Sequence, residues 1–209
     1  MENLGAKMRE IRIAEGFGLR EFAAQIGRSP SFLSQIESGR SQPSVATLYE
    51  FARVLKVSID ELFELSSSAD DLDGSGERVV SVSHPQQAWP RSPYTNRVSV
   101  MHPNHRSRLD MADGVVWERL AATPDTHISF TKIVYAPAAT SSNDDGLVRH
   151  PGYEYGYVLK GEVQVTIGSE VFTLHEGESI GFDSSMPHLL RNTGDVDFEG
   201  IWLNHAAHR

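Results

Sequence analysis

The sequence predicts an α + β multidomain chain, with a five-helix bundle over residues 1–65 and an all-β sandwich or barrel over residues 78–209. Three observations carry that prediction. The 209 residues suit two domains of roughly 100 to 200 residues better than one small domain. Apolar residues recur at the helical spacing up to residue 65 and alternate beyond residue 78. Between the two regimes "SSSADDLDGSGE", residues 66–77, is small, acidic and Gly-containing, with only Leu72 to bury, and reads as a linker.

The helices have their start and stop signals in view. Leu4, Met8 and Ile11 mark one apolar face of the first, which "EGFG" at 15–18 ends. The second runs from Leu19 to Ile26, turns Phe22, Ala23 and Ile26 inward, and stops at Gly27, a residue that takes positive φ cheaply. Ser29 offers an N-cap and Pro30 occupies the first position of the third, where a missing N–H costs nothing. Phe32, Leu33 and Ile36 give this helix its buried side, and Gly39 closes it. A fourth is expected from Ser44 to Val57, burying Leu48, Phe51, Ala52 and Leu55. A fifth opens on a capping box from Ser58 to Glu61 and ends near Leu65.

Beyond the linker, "RVVSVS", "HISFTKIVYAP", "GYVLKGEVQVTIG" and "SEVFTLHEGESIGF" are short β-branched or aromatic segments separated by Gly, Pro, Ser and Asp. They predict a sandwich or barrel. The Pro-rich stretch 84–110 is expected to supply one or two edge strands. In "GYEYGYVL" the two-residue period puts Glu154, Gly156 and Val158 on one face and Tyr153, Tyr155, Tyr157 and Leu159 on the other.

Composition narrows the chemistry. Cysteine is absent, which removes disulfides, thiolate zinc sites and cysteine nucleophiles together and leaves His, Asp and Glu as metal ligands. No apolar run approaches the ~18 residues of a membrane helix, and "MENLGAKMRE" has no apolar signal region, so a cytoplasmic protein without a membrane partner is expected. The net charge of -9 is uneven: residues 1–65 hold eight basic and nine acidic residues, and the remainder carries the other -8. No Ser or Asp near 183–185 has a histidine at nucleophile-activating spacing, and there is no phosphate loop.

Two short helices joined by a tight turn need a small residue at their contact, a Gly in the turn and an apolar anchor after it; Ala23, Gly27 and Leu33 stand in that order. "LREFAAQIGRSPSFLSQIESGRSQPSVATLYEFARVL" resembles the helix-turn-helix of the phage-repressor-like (XRE) transcription regulators, over residues 4–65. The resemblance implies a recognition helix in the major groove. Ser31, Ser34 and Gln35, with Ser29 at the cap, would then meet base edges, Gln35 suiting adenine. Arg20, Arg28 and Arg40 stand where a guanidinium grips phosphate. Because the balance of -1 is not a basic footprint, affinity must come from those local charges and from a homodimer reading a palindromic operator.

The second half resembles the cupin (jelly-roll) barrel, best from Val115 to Leu203. His150, Glu154 and Gly161 match the family's first motif, and Gly177, His188 and Asn192 its second. Val148 stands where the motif has another histidine, and Asp183 and Ser185 replace the second motif's usual proline and glycine. The resemblance thus implies three of four ligand positions: His150, Glu154 and His188. These could hold a divalent ion (Zn, Fe or Mn) as a facial triad, or be the polar wall of a pocket that has lost its metal.

Together the resemblances imply a sequence-specific regulator of double-stranded DNA, not an enzyme, whose barrel senses a metal or a small-molecule effector of unknown identity. The alternatives are a metal-dependent cupin enzyme carrying a DNA-binding module, and a helical domain that only contacts proteins. Trp117 and Trp202 are expected in the barrel core or rim, and His175, His205 and His208 are expected to be exposed.

Overall fold

A computed structural model of the chain describes residues 4–59, 62, 100–121, 128–142 and 146–205. Helices α1 (Leu4–Ala14), α2 (Leu19–Gln25), α3 (Pro30–Glu37) and α4 (Val45–Leu55) form the first part. Ser29 caps α3 as the sequence suggests, and Ser44, expected as the first residue of the fourth helix, is its N-cap instead. Ser29 Oγ accepts from Phe32 N at 3.2 Å and Ser44 Oγ from Thr47 N at 3.2 Å, each satisfying a donor left free at a helix start. Gly27 takes φ 65° in the turn between α2 and α3.

Helix α4 ends at Leu55, two residues before the expected Val57, because Lys56 adopts a left-handed backbone at φ 57°. The fifth helix expected from Ser58 to Leu65 lies mostly outside the described residues. Four α-helices are therefore described in the first part, and Ile59 and Leu62 are buried beside them. Met8, Phe22, Leu33, Ile36, Leu48 and Phe51 are fully buried, each contributing about 1.5–3 kcal/mol by leaving water. The Phe22 and Phe51 rings meet edge to face at 5.0 Å.

The β part has nine described strands: β1 (Arg108–Asp110), β2 (Val115–Arg119), β3 (Ile128–Tyr135), β4 (Tyr153–Lys160), β5 (Glu162–Ile167), β6 (Glu170–His175), β7 (Ser179–Asp183), β8 (His188–Arg191) and β9 (Phe198–His205). They form a six-stranded sheet in the order β1-β2-β3-β9-β4-β7 and a three-stranded sheet in the order β6-β5-β8. Single bridges Thr140↔Arg191 and Val148↔His188 extend the smaller sheet. Strand β1 is an edge strand from the Pro-rich stretch. The segment "RVVSVS" and the linker 66–77 lie outside the described residues. His205, expected in the tail, is instead the last residue of β9, and His208 lies outside the described residues.

Alternation decides which side chains reach the interior. Val163, Val165 and Ile167 on β5 are buried, as are Ile133 and Tyr135 on β3 and Phe198 and Trp202 on β9. The helical part is docked on this barrel rather than standing off it. Ala46 N donates to Ser141 O at 3.0 Å, Ala112 N donates to Pro43 O at 3.0 Å, and one apolar cluster runs through both parts.

Candidate functional site

Glu154 is 3% exposed on the inward face of β4, while Tyr153, Tyr155 and Tyr157 on the outward face are 46–55% exposed. The period-two assignment thus places the carboxylate inside. His150 precedes β4 and His188 opens β8, so the two histidines reach Glu154 from different sheets. His150 Nε2 donates to Glu154 Oε1 at 2.6 Å, and His188 Nε2 faces the same oxygen at 3.3 Å. All three ligand atoms lie within 4.8 Å of one another.

Two further contacts set the orientation of these groups. Trp202 Nε1 donates to Glu154 Oε2 at 2.6 Å, so both carboxylate oxygens are engaged. His188 Nδ1 donates to Met186 O at 2.9 Å, which leaves Nε2 aimed at the cluster. Burial opposes the Glu154 charge, but hydrogen bonds and charge from His150 and His188 outweigh it and lower the pKa to about 2. Burial lowers the His188 pKa, yet Glu154 and the Met186 carbonyl more than offset that and the net shift is upward.

The donor set fits a divalent ion. Two ligands at right angles on a metal, with bonds of ~2.1 Å, stand on the order of 3 Å apart, close to the 2.6 and 3.3 Å that separate the His150 and His188 nitrogens from Glu154 Oε1. Second contacts of the kind that Trp202 and Met186 supply are what ligating groups need. Val148, at the position of the missing ligand, is buried and exchanges backbone hydrogen bonds of 2.8 Å with His188. The other motif residues serve the scaffold. Asn192 Nδ2 donates to Tyr135 O and Val196 O, both at 2.8 Å. Asp183 Oδ1 accepts from Ser185 N and Oγ at 2.9 and 2.6 Å.

A residue from the helical part completes the barrel mouth. Tyr49 on α4 stacks flat on His150, ring centroids 4.2 Å apart and 6° from parallel, and its hydroxyl accepts from Asn204 Nδ2 at 3.0 Å. Burial and the nearby Glu154 charge raise the Tyr49 pKa well above its ordinary value, so the hydroxyl stays neutral. Sequence reasoning missed Tyr49, Asn204 and the role of Trp202. The available signal was an aromatic on α4 lying off the Leu48–Phe51–Leu55 stripe.

In the helical part, Ser29, Ser31, Ser34 and Gln35 at the start and outer face of α3 are exposed, as are Arg20 on α2 and Arg40 after α3. Arg28 is partly buried, with its guanidinium over the Phe32 ring at 5.6 Å. Buried Arg12 and Glu37, also missed, tie α1 to α3. Among the described residues no helix is long and apolar enough to cross a membrane.

Comparison with known proteins matches residues 8–62 to a helix-turn-helix family and residues 133–204 to the cupin domain family. The chain is 25% identical over 191 residues to the HTH-type transcriptional regulator PuuR of Escherichia coli, covering 90% of this chain and 87% of that protein. It is 30% identical over 130 residues to the HTH-type transcriptional regulator SlrR of Bacillus subtilis, covering 57% of this chain and 86% of that one. The crystal structure of an HTH_3 family transcriptional regulator from Vibrio cholerae superposes with a TM-score of 0.61 at 20% identity, covering 99% of this chain and 96% of that one. At that identity the likeness bears on the fold.

Proposed function

The chain belongs to the XRE-type helix-turn-helix transcriptional regulators that carry a C-terminal cupin domain, and on that premise we propose that occupancy of its barrel modulates binding to a palindromic operator. Residues 1–65 would be the DNA reader, 66–77 the linker and 78–209 the sensor. The observation that carries the proposal is the convergence of His150, Glu154 and His188 inside the barrel of a chain whose recognition face is exposed. The enzyme alternative is not favoured, since the relatives that match along the chain are regulators.

In this reading Gln35 pairs with a base, Ser31 and Ser34 contact bases or phosphate, Ser29 holds the cap, and Arg20, Arg28 and Arg40 grip the backbone. His150, Glu154 and His188 hold a divalent ion, which would supply a Lewis-acidic position open to a further ligand. The outer face of the larger sheet favours a homodimer. Pairing registers place Tyr155 beside Leu203 and Leu203 beside Phe130, a row with Tyr155 and Phe130 exposed, where a second copy would cover apolar surface. Two modules about 34 Å apart would then read the two half-sites.

The test counts metal per chain in purified protein beside His150→Ala, and measures operator affinity, on DNA selected from a random pool, with and without chelator. One ion per chain, lost in the variant and shifting DNA affinity, is expected. Metal-free protein whose DNA affinity ignores added zinc, iron and manganese would defeat metal sensing and leave the organic effector.

A further inference from the structure

Helix α4 has two apolar faces with different clients. Leu48, Phe51 and Leu55 are buried in the helical core, whereas Val45 and Tyr49, one turn apart, line the barrel's cavity together with Glu154, His188 and Asn204. Trp117 meets the Tyr49 ring edge-on at 6.1 Å. The ring therefore sits where the floor and wall of a ligand seat already exist: a flat imidazole to stack on, an indole edge, and an amide addressing its hydroxyl. The cavity left beside it is about 20 Å³, which is space for about one water-sized occupant.

The sizes separate two kinds of ligand. An ion among His150, Glu154 and His188 is compatible with Tyr49 in place. Any organic molecule as large as one ring is not, and must take the space the tyrosine fills. Asn204 supports the seat independently: its Oδ1 is buried without a hydrogen-bond partner among the described residues, so the amide has an acceptor left for a polar ligand.

We propose that Tyr49 is a displaceable plug, that the organic ligand of the barrel is a planar ring with a hydrogen-bonding edge that stacks on His150 in its place, and that ligand entry undocks α4. This rests on reading the barrel as an effector site. The consequence for DNA binding is mechanical. Helix α4 shares its core with α2 and α3, Phe51 against Phe22 at 5.0 Å, so α4 cannot leave the barrel without moving the recognition helix relative to it. Docking and ring binding exclude each other, and their free energies are coupled.

The test uses the full chain, Tyr49→Ala and Tyr49→Phe, with p-cresol, the free side chain of tyrosine, as probe. Calorimetry should give one p-cresol per chain in Tyr49→Ala, bound at least tenfold more tightly than by wild type. Hydrogen exchange at the Ala46 amide, bonded to Ser141 O, should be at least tenfold faster in Tyr49→Ala than in wild type, while Ala52 stays protected. Tyr49→Phe keeps the ring and loses the Asn204 bond; it should bind p-cresol severalfold more tightly than wild type, and it serves where the alanine variant fails to fold. Equal p-cresol affinity in wild type and the folded variants, or unchanged Ala46 exchange in Tyr49→Ala, would overturn the plug. Zinc titration of the same samples, with His150→Ala as control, tests the metal site separately.

Discussion

Arg12 and Glu37 form a buried pair with two hydrogen bonds, Nε to Oε1 at 2.6 Å and Nη2 to Oε2 at 2.8 Å, that fastens α1 to α3. Arg12 Nη1 also donates to Phe17 O at 2.6 Å, so the guanidinium closes the loop after α1 as well.

Removing one partner leaves the other charge buried and alone. Glu37→Ala and Arg12→Ala should each destabilise the helical part by about 3–5 kcal/mol, whereas replacing both with apolar residues of similar volume should cost far less. Urea unfolding followed on helical signal checks this, and additive losses in the double variant would contradict it.

Gly156 faces Trp202 across the β4–β9 pairing, and a Cβ at that position would collide with the indole ring. Gly156→Ala should therefore cost about 1–3 kcal/mol through overpacking. Because Trp202 also donates to Glu154, zinc affinity should fall by about 10–100-fold, as for other losses behind a ligand. A variant with shifted melting but unchanged zinc affinity would show that the indole does not orient the carboxylate.

The pKa shifts give the metal-free barrel a defined pH response. Glu154 is depressed to about 2, so its contribution to stability is present above the unfolded value near 4.5 and is lost as pH falls toward 2. His188 is raised, so its contribution is complete below 6.5 and is lost as pH rises through the folded value. Metal must displace the His188 Nε2 proton, so zinc affinity should rise with pH through the neutral range, by up to tenfold per unit. Melting curves in chelator and zinc titrations from pH 5.5 to 8 test both signs.

At the DNA face the roles should divide. Gln35→Ala is expected to relax preference at one base pair by about 1–3 kcal/mol, and Arg40→Ala to weaken all sequences alike and lower the salt slope by about one. Binding to a selected operator and its single-base variants at several salt concentrations distinguishes them. Identical behaviour of the two variants would remove the assignment.

Local order in the chain determined much of this protein. The cap at Ser29, the turn at Gly27 and the shared face of Glu154, Gly156 and Val158 follow from interactions within a few residues, or from the two-residue strand period, and they stand at the expected positions. Helix α4 stops short of Val57 at a left-handed lysine, a conformation that carries no sequence mark. Only the tertiary structure decided that Trp202 holds Glu154, that Arg12 finds Glu37, and that Tyr49 meets Asn204, 155 residues away along the chain. Periodicity says which side of an element is apolar and nothing about what that side meets. Those partners depend on how the chain returns through two sheets and a docked helix, where burial of unlike groups selects one arrangement among many with the same pattern.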